Sequence, residues 1–593
     1  MFDPLEKHGF LAELKRRKVY QVAITYVVVA FVGLEAVDLL IPATTLPAWA
    51  DEFFLAIAIM GFPVAVVVAW AFELTPEGVR RTPSASEERE AFPNGRRGFP
   101  AKMLIALGLL VAAVAVGWYV VAGDGGEPEV TDRSIAVLPF ETLGQEEATS
   151  FTDGVHSDLL TRLSNISDLS VTSRTSVMRY RTPEKPLPAI AAELRVAWVL
   201  HGEVQETGDQ VQVNARLVNA RTDRQVWAES YRRELTAANL FEIQANITRQ
   251  IARALETQLS PREERQVDRA PTEKLDAYRL YTQGREQLDQ RTEDGMRRAL
   301  DYFQRAIARD SSYALALVGL ADALSLLYDY GYADSASVLP RAEDAVQRAL
   351  ELNSESAEAH ASLGLLHSER HEGPAAIREL TRAVELRPSY AEAHNWLSWV
   401  HMLLGNRIEA LESAKRAVEL DPLSPEAVSN LSLSHLANSD YEKALAEARR
   451  VDEIQTSWGT GRFYEGLSLY HLGRFAEATS VLENLAVPWA GSGPLATLAL
   501  AHVASGDTDG ARELLAQIEE SGDPFAAGLV HAALGEEDDA FDAFQRVGRW
   551  SAWPTLSIHH LYKDVLRPLR DDPRHEELVS KVNRTWGLEP GSR

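Results

Sequence analysis

Hydrophobic and polar positions divide the chain into three regimes. The first holds three long apolar runs, Val19–Ile41, Phe53–Phe72 and Met103–Ala122, the last without a charged residue. Each is long enough to cross a hydrocarbon core of about 30 Å as a helix rising about 1.5 Å per residue. The first run follows 18 residues and lacks a small-residue cleavage site, which argues against a cleavable signal peptide. The second regime, 133–262, alternates strands with helices. Ser134–Phe140 reads as a strand, Phe151–Leu163 as a helix, Leu169–Val177 as a strand and Leu187–Leu194 as a short helix. Trp198–Gln205 runs to a Gly208-Asp209 turn, after which Val211, Val213, Ala215 and Leu217 alternate with polar neighbours. That period of two marks a strand with one buried face. Val226–Arg232 is a further strand. Ile243, Ile247, Ile251, Leu255 and Leu259 stand four apart and predict an amphipathic closing helix.

From about 272 the third regime is helical and repetitive. Ala376, Ala410, Ala444 and Ala478 are each 34 apart, as are Gly364, Ser398, Ser432 and Gly466. Small residues at a fixed period let two helices of a unit approach closely. A period of 34 with this pattern is the signature of tetratricopeptide repeats. Clear units span 357–390, 391–424, 425–458 and 459–492, with an earlier pair at 275–354 and looser units at 493–521 and 522–549. The array thus covers 272–549, and 550–593 is expected to cap it as helix. One helix pair cannot bury its apolar face alone, so the units must stack into a solenoid.

Charge orients the membrane part. Lys15, Arg16, Arg17 and Lys18 precede the first run, and Arg80, Arg81, Arg89, Arg96, Arg97 and Lys102 lie between the second and third. Loop Pro42–Glu52 has no basic residue. Residues 1–18 and 73–102 are therefore expected in the cytoplasm, with 124–132 a linker and everything after about 123 outside. In a Gram-negative cell that is the periplasm, reached from an anchor in the inner membrane. The 593 residues hold 60 Lys and Arg against 86 Asp and Glu, a formal charge of -26. Residues 1–123 hold 11 basic and 12 acidic side chains, so the negative charge belongs almost wholly to the remainder. Such a balance argues against nucleic-acid binding. The absence of cysteine excludes disulfides, thiolate nucleophiles and cysteine-based metal sites.

The second regime resembles a known family. SIAVLPF at 134–140, TDG at 152–154, SR at 173–174, VLHG at 199–202, the Trp227 and Tyr231 pair, and LFEIQANI at 240–247 carry the likeness. They resemble the TolB-like amino-terminal domain, found in TolB, FlgO and the LpoB lipoprotein. FLAELKRRKVYQVAITY at 10–26 and AWAFELTPEGVRR at 69–81 resemble a module of the same membrane proteins. The resemblance implies an α/β domain without catalytic residues, placed ahead of tetratricopeptide repeats in the exported part of a membrane protein. Some relatives carry a winged helix or nucleotide cyclase domain before the membrane. In the register of the repeats, Asn395, Trp399, Phe463 and Tyr470 match inward-facing positions, where a partner peptide would lie; the alternative is that the rings pack between helices.

Two further groups stand out. Glu35 and Asp38 fall on one face of the first span, where an acid is either functional or placed at the outer interface. His367, His401 and His435 are 34 apart, and His502 and His531 each stand four before a glycine. A metal ladder fails on distance, because packed helices lie about 8–10 Å apart. A pH response is a second reading. An amphipathic filler, in the slot where repeats usually hold tyrosine, is the reading adopted. Phosphate-binding, nucleophile-elbow, zinc-protease and dinucleotide motifs are absent. The expectation is a non-enzymatic protein needing no cofactor or metal: a membrane-anchored envelope scaffold that binds other proteins or peptides, fixed in the bilayer by three helices, its homo-oligomeric state open. The alternatives are a transmembrane sensor and, on the LpoB likeness alone, a regulator of cell-wall synthesis.

Overall fold

The computed structural model describes residues 72–75, 78–81, 132–143, 149–182, 185–455, 459–487, 490–548 and 552–586. The chain divides into two units, Met1–Gly125 and Gly126–Arg593. In the first, β1 (Phe72–Thr75) pairs antiparallel with β2 (Gly78–Arg81). Apart from Phe72, the three expected spans lie outside the described residues, as do Glu35, Asp38 and residues 1–18. Among the described residues no helix is long and apolar enough to cross a membrane.

The second unit begins with a mixed sheet. Its strands are β3 (Ser134–Val137), β4 (Glu141–Leu143), β5 (Ser170–Val171), β6 (Trp198–Thr207), β7 (Gln210–Asn219) and β8 (Arg224–Glu234). The order is β5-β3-β6-β7-β8, with β4 also on β6. β3 runs parallel to β5 and β6, while β6, β7 and β8 form an antiparallel meander. Alternation on β3 builds two layers. Ile135 and Val137 join α1 (Thr149–Ser164) and α4 (Ala237–Ala254) in one core. Ala136 and Leu138 face α3 (Leu187–Leu194) in another. Two motif glycines allow close approaches here. A Cβ on Gly202 would stand 2.1 Å from the Asn214 carbonyl and 2.8 Å from the Phe140 ring. One on Gly154 would stand 2.3 Å from Thr282 of the helical array.

The expected strand Leu169–Val177 is corrected by the structure. Only Ser170–Val171 pairs, and the chain then turns into α2 (Arg174–Val177). The Ser173 hydroxyl accepts from the Thr175 amide and caps that helix, a local bond that outcompetes sheet pairing. A short helix, α5 (Pro261–Asp268), follows the domain. Its Ser260–Glu263 capping box has the S-x-x-E form.

Eight helix hairpins follow among the described residues. They are α6/α7 (Leu275–Asp289, Glu293–Arg309), α8/α9 (Ala314–Asp329, Ser335–Leu352), α10/α11 (Ala357–Glu369, Gly373–Leu386) and α12/α13 (Ala391–Leu403, Arg407–Leu420). Then come α14/α15 (Pro425–Ala437, Tyr441–Ile454), α16/α17 (Thr460–His471, Phe475–Leu482), α18/α19 (Gly493–Ser505, Thr508–Ser521) and α20/α21 (Pro524–Leu534, Glu537–Gln545). This is an all-α tetratricopeptide-type solenoid. The 34-residue period has a direct physical cause. Ser398 Oγ donates to the Ala410 carbonyl at 2.9 Å, and Ser432 Oγ to Ala444 at 2.8 Å. At these two crossings a small side chain meets a buried alanine, while Gly364 and Gly466 in the same slot make room for Leu380 and Leu482, so a larger residue would push the helices apart.

First helices of neighbouring hairpins touch one another, while second helices stand farther apart. The first helices thus line the inner side. The C-terminal segment does more than cap the stack. After α22 (Ala552–Leu556) it turns back onto that inner side, then ends in α23 (Pro573–Thr585).

Candidate functional site

The inner face is the natural binding surface of such an array, and this chain covers part of it with its own residues. Over the C-terminal half lies the segment after Leu556. His560 Nε2 donates to the Met402 carbonyl at 2.9 Å, and His471 Nε2 donates to the Leu561 carbonyl at 2.8 Å. Lys563 Nζ donates to Ser439 Oγ at 2.6 Å, and the Tyr562 hydroxyl lies 2.5 Å from Thr497 Oγ1. Leu556, Ile558, Leu561, Tyr562 and Leu566 share one core with Met402, Leu403, Leu436, Phe463 and Leu467.

The expected contact residues fall around this core. Phe463 is 0 % exposed and packs between helices, the second of the two readings of these rings, and so offers no open groove ring. Trp399 and Tyr470 are half-buried against the same core, and Asn395 accepts a hydrogen bond from Asn430 at 2.9 Å. The four positions do belong to the first helices, but the ring face is occupied.

The α/β domain docks on α6 and on the turns that join successive hairpins, held by polar groups. Tyr278 of α6 enters the domain core, edge-on to Phe151 and Phe241, and donates to Asp158 at 2.7 Å. Burial pushes the Asp158 carboxyl upward, partly offset by that hydrogen bond. Arg387, 6 % exposed, donates to Asn165 Oδ1 at 3.1 Å, pairs with Glu358 and stacks 4.5 Å over the Tyr390 ring. Burial alone would raise Glu358, but the Arg387 guanidinium holds it below the usual range. Ser389 bridges the Val171 amide and the Leu169 carbonyl. One repeat later, Asp421 accepts from the Ser176 amide at 3.1 Å and from its hydroxyl at 2.5 Å. Burial pushes Asp421 up to about 6. Leu423 adds an apolar contact to the α3 layer. Beside these contacts a cleft of about 540 Å³ is lined by Asp158, Arg162, Arg269, Asp310 and Glu358 among others. It carries both charge signs and no acid/base pair set apart from its neighbours.

The histidines form turn clasps. His367 Nδ1 meets Glu372 at 2.5 Å, His435 meets Asp440 at 3.4 Å, His502 meets Asp507 at 2.6 Å, and His531 meets Glu536 at 2.7 Å. His401 accepts instead from Asn406 at 3.2 Å. Each partner is five residues on, at the N-cap of the second helix. In the next repeat the histidine slot holds Leu469 and the cap holds Arg474, so both members change together. This replaces the filler reading with a specific local bond. Burial lowers His401 and His435, the latter partly offset by Asp440. Among the described residues, His531, Glu536 and Asp539 bring ligand atoms within 4.8 Å of one another, but Arg512 already pairs with Glu536 at 2.5 Å.

Arg387, Asp421, Ser176 and Tyr562 were missed by sequence reasoning. Arg387 and Asp421 occupy equivalent places in the repeats, LRPSY and LDPLS, where they read as helix ends. No sequence signal links Tyr562 to Thr497.

Comparison with known proteins fits this division. Residues 391–424 match the tetratricopeptide repeat model, which is the α12/α13 hairpin. Residues 131–250 match the model described as HilA/YgeH-like transcriptional regulator, second domain. A relative from Rhizobium meliloti (strain 1021), named "Putative adenylate cyclase 3", is 33% identical over 156 residues, which is 26% of this chain and 26% of that one. The chain thus matches about a quarter of that curated relative's length. Among solved structures, a tetratricopeptide repeat protein from Parabacteroides merdae is 13% identical, with 44% of this chain and 99% of that chain covered and a TM-score of 0.32. Pseudomonas aeruginosa pilF is 18% identical, with 36% and 93% covered and a TM-score of 0.30.

Proposed function

We propose that the chain is a membrane-anchored scaffold that binds other proteins through its helical array. The observation that carries this is the inner face of the eight described hairpins, which already holds a segment of its own chain. Anchoring by residues 19–41, 53–72 and 103–122, and export of the remainder to the bacterial envelope, rest on the apolar runs and the basic flanks. On the quoted motifs the α/β domain is read as TolB-like, with no catalytic role. Affinity purification from detergent-solubilised membranes, with mass spectrometry, tests the scaffold: envelope proteins enriched on wild type and lost on Leu467→Glu support it, and an unchanged set overturns it. A carboxy-terminal alkaline phosphatase fusion that stays inactive would overturn export.

A second reading is a sensor that relays an exported binding event inward. The similarity to a protein named as an adenylate cyclase favours it. A cyclase, kinase or regulator in the same purification would support it over the scaffold.

A further inference from the structure

Residues 556–566 lie on the inner face as a foreign ligand would. They touch the ends of four consecutive first helices: Met402 on α12, Ser439 just beyond α14, His471 on α16 and Thr497 on α18. These contacts join residues 158, 124, 90 and 65 apart in sequence. The centre of the contact is apolar and its border is polar, the arrangement of a recognition site. The fit is also incomplete. Ser557 Oγ on the segment and Ser434 Oγ on α14 are buried without a hydrogen-bond partner. Ser557–Leu561 forms a single π-helical turn, a rare geometry in globular proteins. Both features weaken the docking of the segment.

We propose that residues 556–566 are a resident, displaceable ligand of the face formed by α12, α14, α16 and α18. A protein partner binds there by presenting a short helical segment of the same chemistry. That segment carries branched aliphatic side chains where Ile558, Leu561 and Leu566 sit, a phenol opposite Thr497, and a donor opposite the Met402 carbonyl. It is uncharged at its centre, because Phe463, Leu467 and Leu436 offer nothing to pair a charge. The inference rests on the scaffold reading and adds both the ligand class and the condition for binding. While the segment stays docked, the apparent affinity for a partner falls by the fraction of open molecules.

The absence of cysteine makes a clean test. Full-length detergent-solubilised protein carrying Ser439→Cys and Lys563→Cys is closed with a short bismaleimide. The probe is a fluorescein-labelled synthetic peptide of residues 554–567. The open form is expected to bind it, and cross-linking to weaken binding by about ten-fold or more. Tyr562→Ala, which frees the face, is expected to strengthen it by a similar factor. Equal binding by the cross-linked and open forms overturns the proposal. So does loss of hydrogen-exchange protection in α12–α18 on Tyr562→Ala, since the segment is then core. A concentration-dependent dimer dissolved by the peptide would make the occupant a second copy and overturn the partner assignment. If the peptide results hold and no envelope protein is captured, the scaffold reading fails while this one stands. If proteins are captured equally by locked and open forms, the reverse is true.

Discussion

The α/β domain and the C-terminal segment are held to the array by different physics. The domain is fastened to α6 and to the turns after α11 and α13 by buried charges and polar atoms: Asp158 on Tyr278, Arg387 between Glu358 and Asn165, Asp421 on Ser176. Over α12 to α18 the C-terminal segment is held by a shared apolar core with neutral hydrogen bonds and one lysine at its border. Breaking one partner of a buried pair strands the other, so the first cover is costly to open. An apolar cover comes away without stranding a charge. One end of the array is therefore built as a fixed joint and the other as a replaceable one.

The sharpest way to break this contrast is Arg387→Met. It strands Glu358, and denaturant unfolding is expected to show a loss of about 3–5 kcal/mol. A loss under about 1 kcal/mol would place the joint elsewhere. Next is Leu561→Ala in the apolar cover. Emptying that site costs about 2–5 kcal/mol in a fixed core. Here hydrogen exchange should show the loss confined to residues near 556–569, with α12–α18 still protected.

A third test uses Asp421. Its folded-state value of about 6 lies above the ordinary 3.8, so the folded protein binds the proton more tightly. This contribution to stability is full below about 3.8, falls as pH rises toward about 6, and is flat above. Asp421→Asn should remove that slope. Urea midpoints of variant and wild type are expected to diverge between pH 4 and 6 and run parallel above it, and parallel curves throughout would contradict the assignment.

The smallest effect belongs to the turn clasps. His401 and His435 are lowered by burial, so they favour the neutral form. Their contribution is present above the ordinary 6.5 and is lost as pH falls below it. A His401→Leu, His435→Leu double variant should show a shallower drop in thermal midpoint between pH 6.5 and 5 than wild type. An identical drop would leave these rings without a pH role.

Legibility followed the range of the interaction. Ala376, Ala410, Ala444 and Ser398, Ser432 announced the hairpins, because a close helix crossing demands small residues at a fixed spacing. Val211 to Leu217 announced a strand by alternation, and β7 bears it out. The second strand was misjudged because Ser173 caps a helix turn, a competition between two local options that hydrophobicity does not register. The histidine slot was visible, but its meaning lay in a partner five residues on, within reach of sequence and overlooked. Phe463 and Tyr470 were correctly placed on first helices, yet their exposure depends on what lies over them.

The sequence by itself determined the repeat, the small-residue crossings and the alternation of the sheet, since each depends on residues within a few helical turns. That the helix-end residues Arg387 and Asp421 also serve as joints, and that Tyr562 reaches Thr497, comes from the tertiary fold alone. Those contacts join residues 222, 245 and 65 positions apart, and nothing local constrains which distant surface a buried arginine or an apolar segment will meet.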